Sequence, residues 1–143
     1  MVNMFIPENT YKTIIENTIN ICTDVCLKHD GKYLLIKRTE EPCKGIYWPI
    51  GGRIWKGETA EQAARRKILE EIGISYNGIL KPMGYYEDQY AENSFGIDTN
   101  YCTMSICFTG NITDVNSIKL DKTSENWGFF AELPKRFSVK NFT

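Results

Sequence analysis

Apolar runs alternate with polar breaks along this chain, and the spacing of the apolar positions changes once, in the middle. Thr18 to Leu27 (TINICTDVCL) is β-branched and apolar, Lys28–Gly31 supplies turn chemistry, and Lys32–Lys37 (KYLLIK) returns in the same style. Two such runs across a short polar break predict a hairpin. Ahead of them Pro7–Asn17 (PENTYKTIIEN) predicts a short helix, with Pro7 suited to its first turn. Thr39–Gly45 reads as a polar loop broken by Pro42, and Ile46–Ile50 leads into the diglycine Gly51–Gly52. From Thr59 the period lengthens. Ala60, Ala63, Ala64, Ile68 and Ile72 recur at mixed spacings of three and four, which predicts a helix gripped on two sides. Gly73 is its natural stop, since glycine tolerates the left-handed conformation that closes helices. Strands are predicted again at Gly78–Tyr86, Asn100–Phe108 and Trp127–Phe130, with the polar stretch Glu87–Asp98 as a mobile loop. Strands, one long helix and more strands indicate an α+β or α/β/α fold.

Length and composition narrow the picture further. With 143 residues the chain reads as one domain, 1–143, long enough to bury roughly two-thirds of its unfolded surface. Hydrophobic content of 42% and charged content of 24% are those of an ordinary soluble protein. A net charge of −1 offers no electrostatic case for nucleic acid or a membrane surface as partner. Cys22, Cys26, Cys43, Cys102 and Cys107 are odd in number and form no CxxC pair, so reduced, buried thiols in a cytoplasmic protein are expected. No apolar run approaches the roughly 18 residues of a membrane span. The first residues, MVNMFIPENTYK, lack the basic and apolar regions of a secretory signal.

Candidate chemistry concentrates between Gly51 and Ile74, GGRIWKGETAEQAARRKILEEIGI. Lys67, Glu70 and Glu71 stand at i, i+3 and i+4, so a helix puts all three on one face. Paired carboxylates beside bare glycine backbone suit a hard divalent cation such as Mg²⁺, which takes oxygen ligands and keeps waters for a phosphate substrate. Taken singly, each feature has an ordinary reading. A glutamate pair is usually a solvated face, a diglycine is a turn, and Glu71 pairs with Lys67 for about 0.3–0.5 kcal/mol.

Taken jointly, the stretch resembles the Nudix box, GX5EX7REUXEEXGU, where U is a bulky aliphatic. Gly52, Glu58, Arg66, Ile68, Glu70, Glu71, Gly73 and Ile74 fill eight of its nine defined positions, and the ninth, a glutamate in the box, is Lys67. The resemblance implies a Nudix α/β/α sandwich with a mixed sheet and a catalytic loop–helix–loop. It implies Mg²⁺ (or Mn²⁺) held by the Gly51 carbonyl, Glu70 and Glu71, with Glu58 supporting the loop–helix junction and Arg66 orienting the glutamates. Lys67 has donors only and neither binds a metal nor acts as a base in its charged form. Either it fills the place of one metal ion, or the base comes from elsewhere, or activity is lost.

A wider likeness reaches from about Phe5 to the strand at Asn100–Phe108. GKYLLIKRTEEPCKGIYWPIGGRIWKGET is similar to the matching region of GDP-mannose mannosyl hydrolases, including the arginine after the diglycine, Arg53. That resemblance implies a nucleotide-sugar substrate and a homodimer, with the N-terminal segment a candidate for exchange between subunits. It implies Arg53 as stabiliser of the departing diphosphate, and Asp24, Arg38 and Tyr101 as substrate contacts. Each also has a plainer role: a partnered buried acid for Asp24, a surface charge for Arg38, and strand packing for Tyr101. Trp48 and Tyr47 read as core. The family's histidine base falls in Lys122–Trp127 (KTSENW), where Ser124 occupies its position, and the sole histidine, His29, is expected in an exposed hairpin turn. Glu125, Asp121 or Glu70 would then have to serve as base. The alternatives are ordinary attack at phosphorus and a nucleotide-derivative sensor without turnover.

Overall fold

A computed structural model describes residues 5–93, 95–121 and 124–142, with the side chain of Glu125 not described. The elements are α1 (Glu8–Asn17), β1 (Asn20–His29), β2 (Lys32–Arg38), β3 (Tyr47–Trp48), β4 (Ile50–Arg53), α2 (Ala60–Ile72), β5 (Lys81–Tyr90), β6 (Tyr101–Asn111) and β7 (Ser124–Phe130). All seven strands join one mixed sheet in the order β3-β2-β1-β6-β5, with β4 also paired to β1 and β7 to β2. β1 runs parallel to β6 and antiparallel to β2 and β4. The architecture is the α+β arrangement with a mixed sheet that the motif implied.

Residue alternation along β1 divides the molecule into two layers. Val25 and Leu27 point into the core with Ile50, Ala64, Ile68, Ile72 and Phe108, under α2. Cys26 points the other way, towards Trp48, Tyr86, Cys107 and Phe137, and further along this face Ile15 of α1 packs with Tyr90 and Tyr101. A strand buried on both faces reads as an almost unbroken apolar run, which is why β1 stands out in the sequence. Residues 118–121 flank the end of α2, where the Lys119 and Asp121 N–H groups donate to the Ile72 and Glu71 carbonyls.

Several expected boundaries move. His29 closes β1 instead of sitting in the turn; its Nδ1 lies 2.9 Å from the Ile112 carbonyl and its side chain is 30% exposed. The turn is the two-residue step Asp30–Gly31, both with positive φ, as a tight hairpin requires. Gly78–Leu80 precedes β5 instead of belonging to it, and Glu87–Tyr90, expected as loop, continues β5. Polar side chains there mislead, because pairing with β6 (Glu87↔Met104, Gln89↔Cys102) satisfies the backbone whatever the side chains are. Ser124 already belongs to β7, while Lys122 and Thr123 of the KTSENW stretch lie outside the described residues. Among the described residues no helix is long and apolar enough to cross a membrane.

Candidate active site

Local chemistry builds the loop and helix that carry the motif. Thr59 caps α2 with a reciprocal box: its hydroxyl accepts from Gln62 N at 3.1 Å, and the Gln62 side chain accepts from Thr59 N at 2.9 Å. Gly73 ends the helix at φ 72°. Glu58, with a side chain only 1% exposed, accepts Arg66 Nε at 2.7 Å, Arg66 Nη2 at 3.0 Å and Trp55 N at 2.8 Å. Burial opposes its ionisation, but these donors outweigh it and hold the carboxyl below its ordinary range. Arg66 also donates to the Arg53 carbonyl at 2.9 Å and to Glu70 Oε1 at 3.1 Å, and stacks over Trp55. One guanidinium thereby ties the loop to the helix and aims Glu70, a bidentate task that arginine performs and lysine does not.

Glu70 and Glu71 both face Lys67, whose Nζ lies 3.1 Å from Glu70 Oε2 and 3.4 Å from Glu71 Oε1. Their environments differ. Burial raises the Glu70 carboxyl, but Lys67 and Arg66 hold it below its usual value. Glu71 is 12% exposed, and burial, opposed by Lys67 and reinforced by Asp121, pushes it up to about 7. It lines a small cavity with Arg38, Glu40, Trp48, Pro49, Ile36 and Ser124.

That cavity shares Arg38, Glu40, Trp48 and Pro49 with a larger cleft of about 200 Å³. The cleft gathers Asp24, Arg38, Gly51, Arg53 and Tyr101 from four strands. Asp24 faces Gly51 across the β1–β4 ladder and accepts from the Ser105 hydroxyl and the Trp48 side chain. Burial pushes it up to about 6 against these hydrogen bonds and Arg38. Arg38 is held by donation of Nε to the Pro42 carbonyl at 2.7 Å, so it is a positioned cleft residue and not a loose surface charge. The Tyr101 hydroxyl accepts from Asn20 at 2.7 Å. Trp48 is buried against Tyr86 and Phe137 yet also walls the cleft.

The motif residues and the cleft residues are thus neighbours in two adjoining spaces. Glu58, Glu70 and Arg66 line neither: Glu58 sits at the loop–helix junction, and Arg66 links it to Glu70 near the far end of α2. Sequence reading missed Tyr11, Phe95 and Ser105. Tyr11 comes from α1, receives Asn20 Nδ2 at 3.0 Å, packs edge-on to Phe95 and lies 5.4 Å beneath the Arg53 guanidinium. No local pattern announces such a residue. Its only signal is an aromatic on the buried side of a short amphipathic helix.

The donor set suits a hard divalent cation. Glu70 and Glu71 already converge on a cationic group, and the strand opposite has no side chain at Gly51 or Gly52. Among the described residues no three His, Cys, Asp or Glu side chains converge.

The sequence model of the NUDIX domain matches residues 21–139, and the chain belongs to the Nudix family. A Haloferax volcanii protein, described as low-salt glycan biosynthesis protein Agl8, is 31% identical over 97 residues, covering 67% of this chain and 62% of that one. An ADP-ribose pyrophosphatase of Methanocaldococcus jannaschii is 43% identical over 54 residues, covering 38% of this chain and 32% of its own. The matches therefore span under two-thirds of either relative. In structure, a MutT protein from Methanosarcina mazei superposes with a TM-score of 0.69 at 20% identity, covering 87% of this chain and 91% of that one. The NUDIX domain of Shewanella oneidensis NrtR, solved with ADP ribose, superposes with a TM-score of 0.61 at 18% identity, covering 88% and 77%.

Proposed function

We propose that this chain is a divalent-cation-dependent hydrolase of a nucleoside diphosphate linked to a second group, with a nucleotide sugar of the GDP-mannose kind favoured. One observation carries the reading: a single cleft holds Arg53 and Arg38 beside the diglycine, an aromatic wall, and the buried acceptor Asp24. A diphosphate needs the first, a planar base or sugar ring the second, and an N–H or hydroxyl of the substrate the third. Glu70 and Glu71 would hold Mg²⁺ or Mn²⁺, which supplies charge neutralisation at phosphate oxygens. Arg53 binds and steadies the diphosphate as it departs. Arg38, on the same cleft, orients it, and Tyr101 with Tyr11 shapes the ring-binding side. Asp121, whose charge is felt at Glu71, and Glu70 are the candidate carboxylate bases for the water proton, as is Glu125, whose side chain lies outside the described residues. The glycan-biosynthesis description of the Haloferax relative leans the same way on substrate.

The test is a screen of nucleoside triphosphates, dinucleotides and nucleotide sugars with Mg²⁺ or Mn²⁺, run in ¹⁸O-labelled water with products identified. Label in free sugar means attack at carbon, and label in phosphate means the alternative, attack at phosphorus. A second reading, a sensor that binds a nucleotide derivative without turnover, is favoured by the Lys67 contacts to both glutamates. Turnover that Glu71→Gln abolishes excludes the sensor; tight binding with no product at high protein concentration excludes the hydrolase.

A further inference from the structure

We propose that the Lys67 ammonium is a built-in cation of this site, occupying space between the diglycine and the paired glutamates and displacing one of the divalent ions they would otherwise gather. The inference rests on the reading of Glu70 and Glu71 as cation ligands, and it concerns how many ions they hold and how tightly.

Three observations separate this arrangement from an ordinary surface ion pair. First, the ammonium meets both carboxylates, at 3.1 Å and 3.4 Å, where a solvated lysine on a helix usually finds one partner. Second, the Lys67 side chain is only 17% exposed, although lysine heads normally stay in water. Third, β4 is shaped to receive it. A Cβ at Gly52 would stand 2.7 Å from Lys67 Cε and 3.2 Å from Nζ, so the absent side chain is what lets the lysine stem lie flat against the strand. Gly52 lies within β4 and not in a turn, and its bare backbone admits a cation carried by the neighbouring helix.

Charge counting gives the consequence. Glu58 is matched by Arg66, which also reaches Glu70 Oε1, and Glu70 Oε2 and Glu71 share Lys67. The two candidate metal ligands thus have a cation at hand before any ion arrives. An incoming divalent ion must compete with the ammonium for oxygen lone pairs and is repelled by it at short range, in a site where Lys67 and Glu71 are largely buried and Glu70 is exposed. A carboxylate in place of Lys67 would reverse both effects.

The decisive experiment counts ions without substrate. Mn²⁺ is titrated into the full chain, free ion is followed by electron paramagnetic resonance, and circular dichroism verifies folding. Lys67→Met keeps the stem and removes the charge, Lys67→Glu reverses the charge, and Lys67→Arg preserves it. Lys67→Met is expected to tighten Mn²⁺ binding about tenfold or more, given short-range repulsion in a partly shielded site. Lys67→Glu is expected to tighten it further and admit an additional ion, and Lys67→Arg to stay near wild type. Folded Lys67→Met and Lys67→Glu proteins that bind Mn²⁺ with wild-type number and affinity overturn the inference alone. If no variant, nor the wild type, binds Mn²⁺, the reading of the glutamates as cation ligands falls and this inference with it. Should Lys67→Glu not fold, the uncharged Lys67→Met decides.

Discussion

Asp24 shows how one residue's surroundings set a measurable property. Burial between Ser105, Trp48 and the Gly51 backbone raises its pKa to about 6, whereas an unfolded aspartate titrates near about 3.9. The native state therefore binds this proton more tightly than the unfolded chain. Its contribution to stability is complete below the unfolded value and is lost as pH rises through about 6. Denaturation of wild type and Asp24→Asn in chelator, between pH 4 and 7, is expected to show that difference changing by on the order of 2–3 kcal/mol. A difference that does not vary with pH would refute the assignment. The adjacent glycines make a second contrast. A Cβ at Gly51 would meet the Thr23 carbonyl at 2.5 Å as well as the Asp24 carboxylate, whereas the nearest atoms to one at Gly52 belong to the flexible Lys67 stem. Gly51→Ala is expected to cost more than about 2 kcal/mol, and Gly52→Ala under about 1 kcal/mol in thermal melts.

At the scale of elements, α2 and the loop before it are held by contacts that double as site geometry. Loss of the Thr59 cap in Thr59→Ala is expected to cost about 1 kcal/mol. Glu58→Ala leaves the largely buried Arg66 without its main partner and is expected to cost about 3 kcal/mol, read by urea unfolding. Equal costs for the two would mean that the Glu58–Arg66 pair is only a surface contact. This helix was legible because its cap, its apolar spacing and its terminal glycine all speak for the same conformation. The far end of β5 was not. Glu87 to Tyr90 has little local strand character and is extended because β6 lies alongside and pairs with it. His29 was misplaced for a related reason, since β1 runs two residues further, through Lys28 and His29, than their polar character suggested.

Across the whole molecule, the cleft draws on all of β1 to β6, on α1, and on the loops after β2 and β5. Tyr11→Ala is expected to raise KM for the nucleotide several-fold with a smaller change in kcat, since stacking contributes about 1–3 kcal/mol per base. Arg53→Ala is expected to lower kcat about a hundredfold or more, as loss of one charge-stabilising donor does. Steady-state kinetics separates the two: a kcat effect for Tyr11 with unchanged KM would place it outside the binding wall. Both residues meet only through folding, with α1 lying against the face opposite α2.

What the sequence determined by itself is the family, the motif helix and the roles its spacing permits. These depend on residues near one another along the chain, whose mutual geometry a helix fixes in advance: Lys67, Glu70 and Glu71 meet because 3.6 residues make a turn. It also named Asp24, Arg38, Arg53 and Tyr101 by likeness, without saying how they meet. Tertiary structure decided that they share one cleft, that Glu71 sits in a second space beside it, and that Tyr11 completes the wall. The parallel pairing of β1 with β6 joins segments some eighty positions apart, as in Asp24 with Ser105. No local period encodes that contact. It exists because burying both faces of β1 requires those partners.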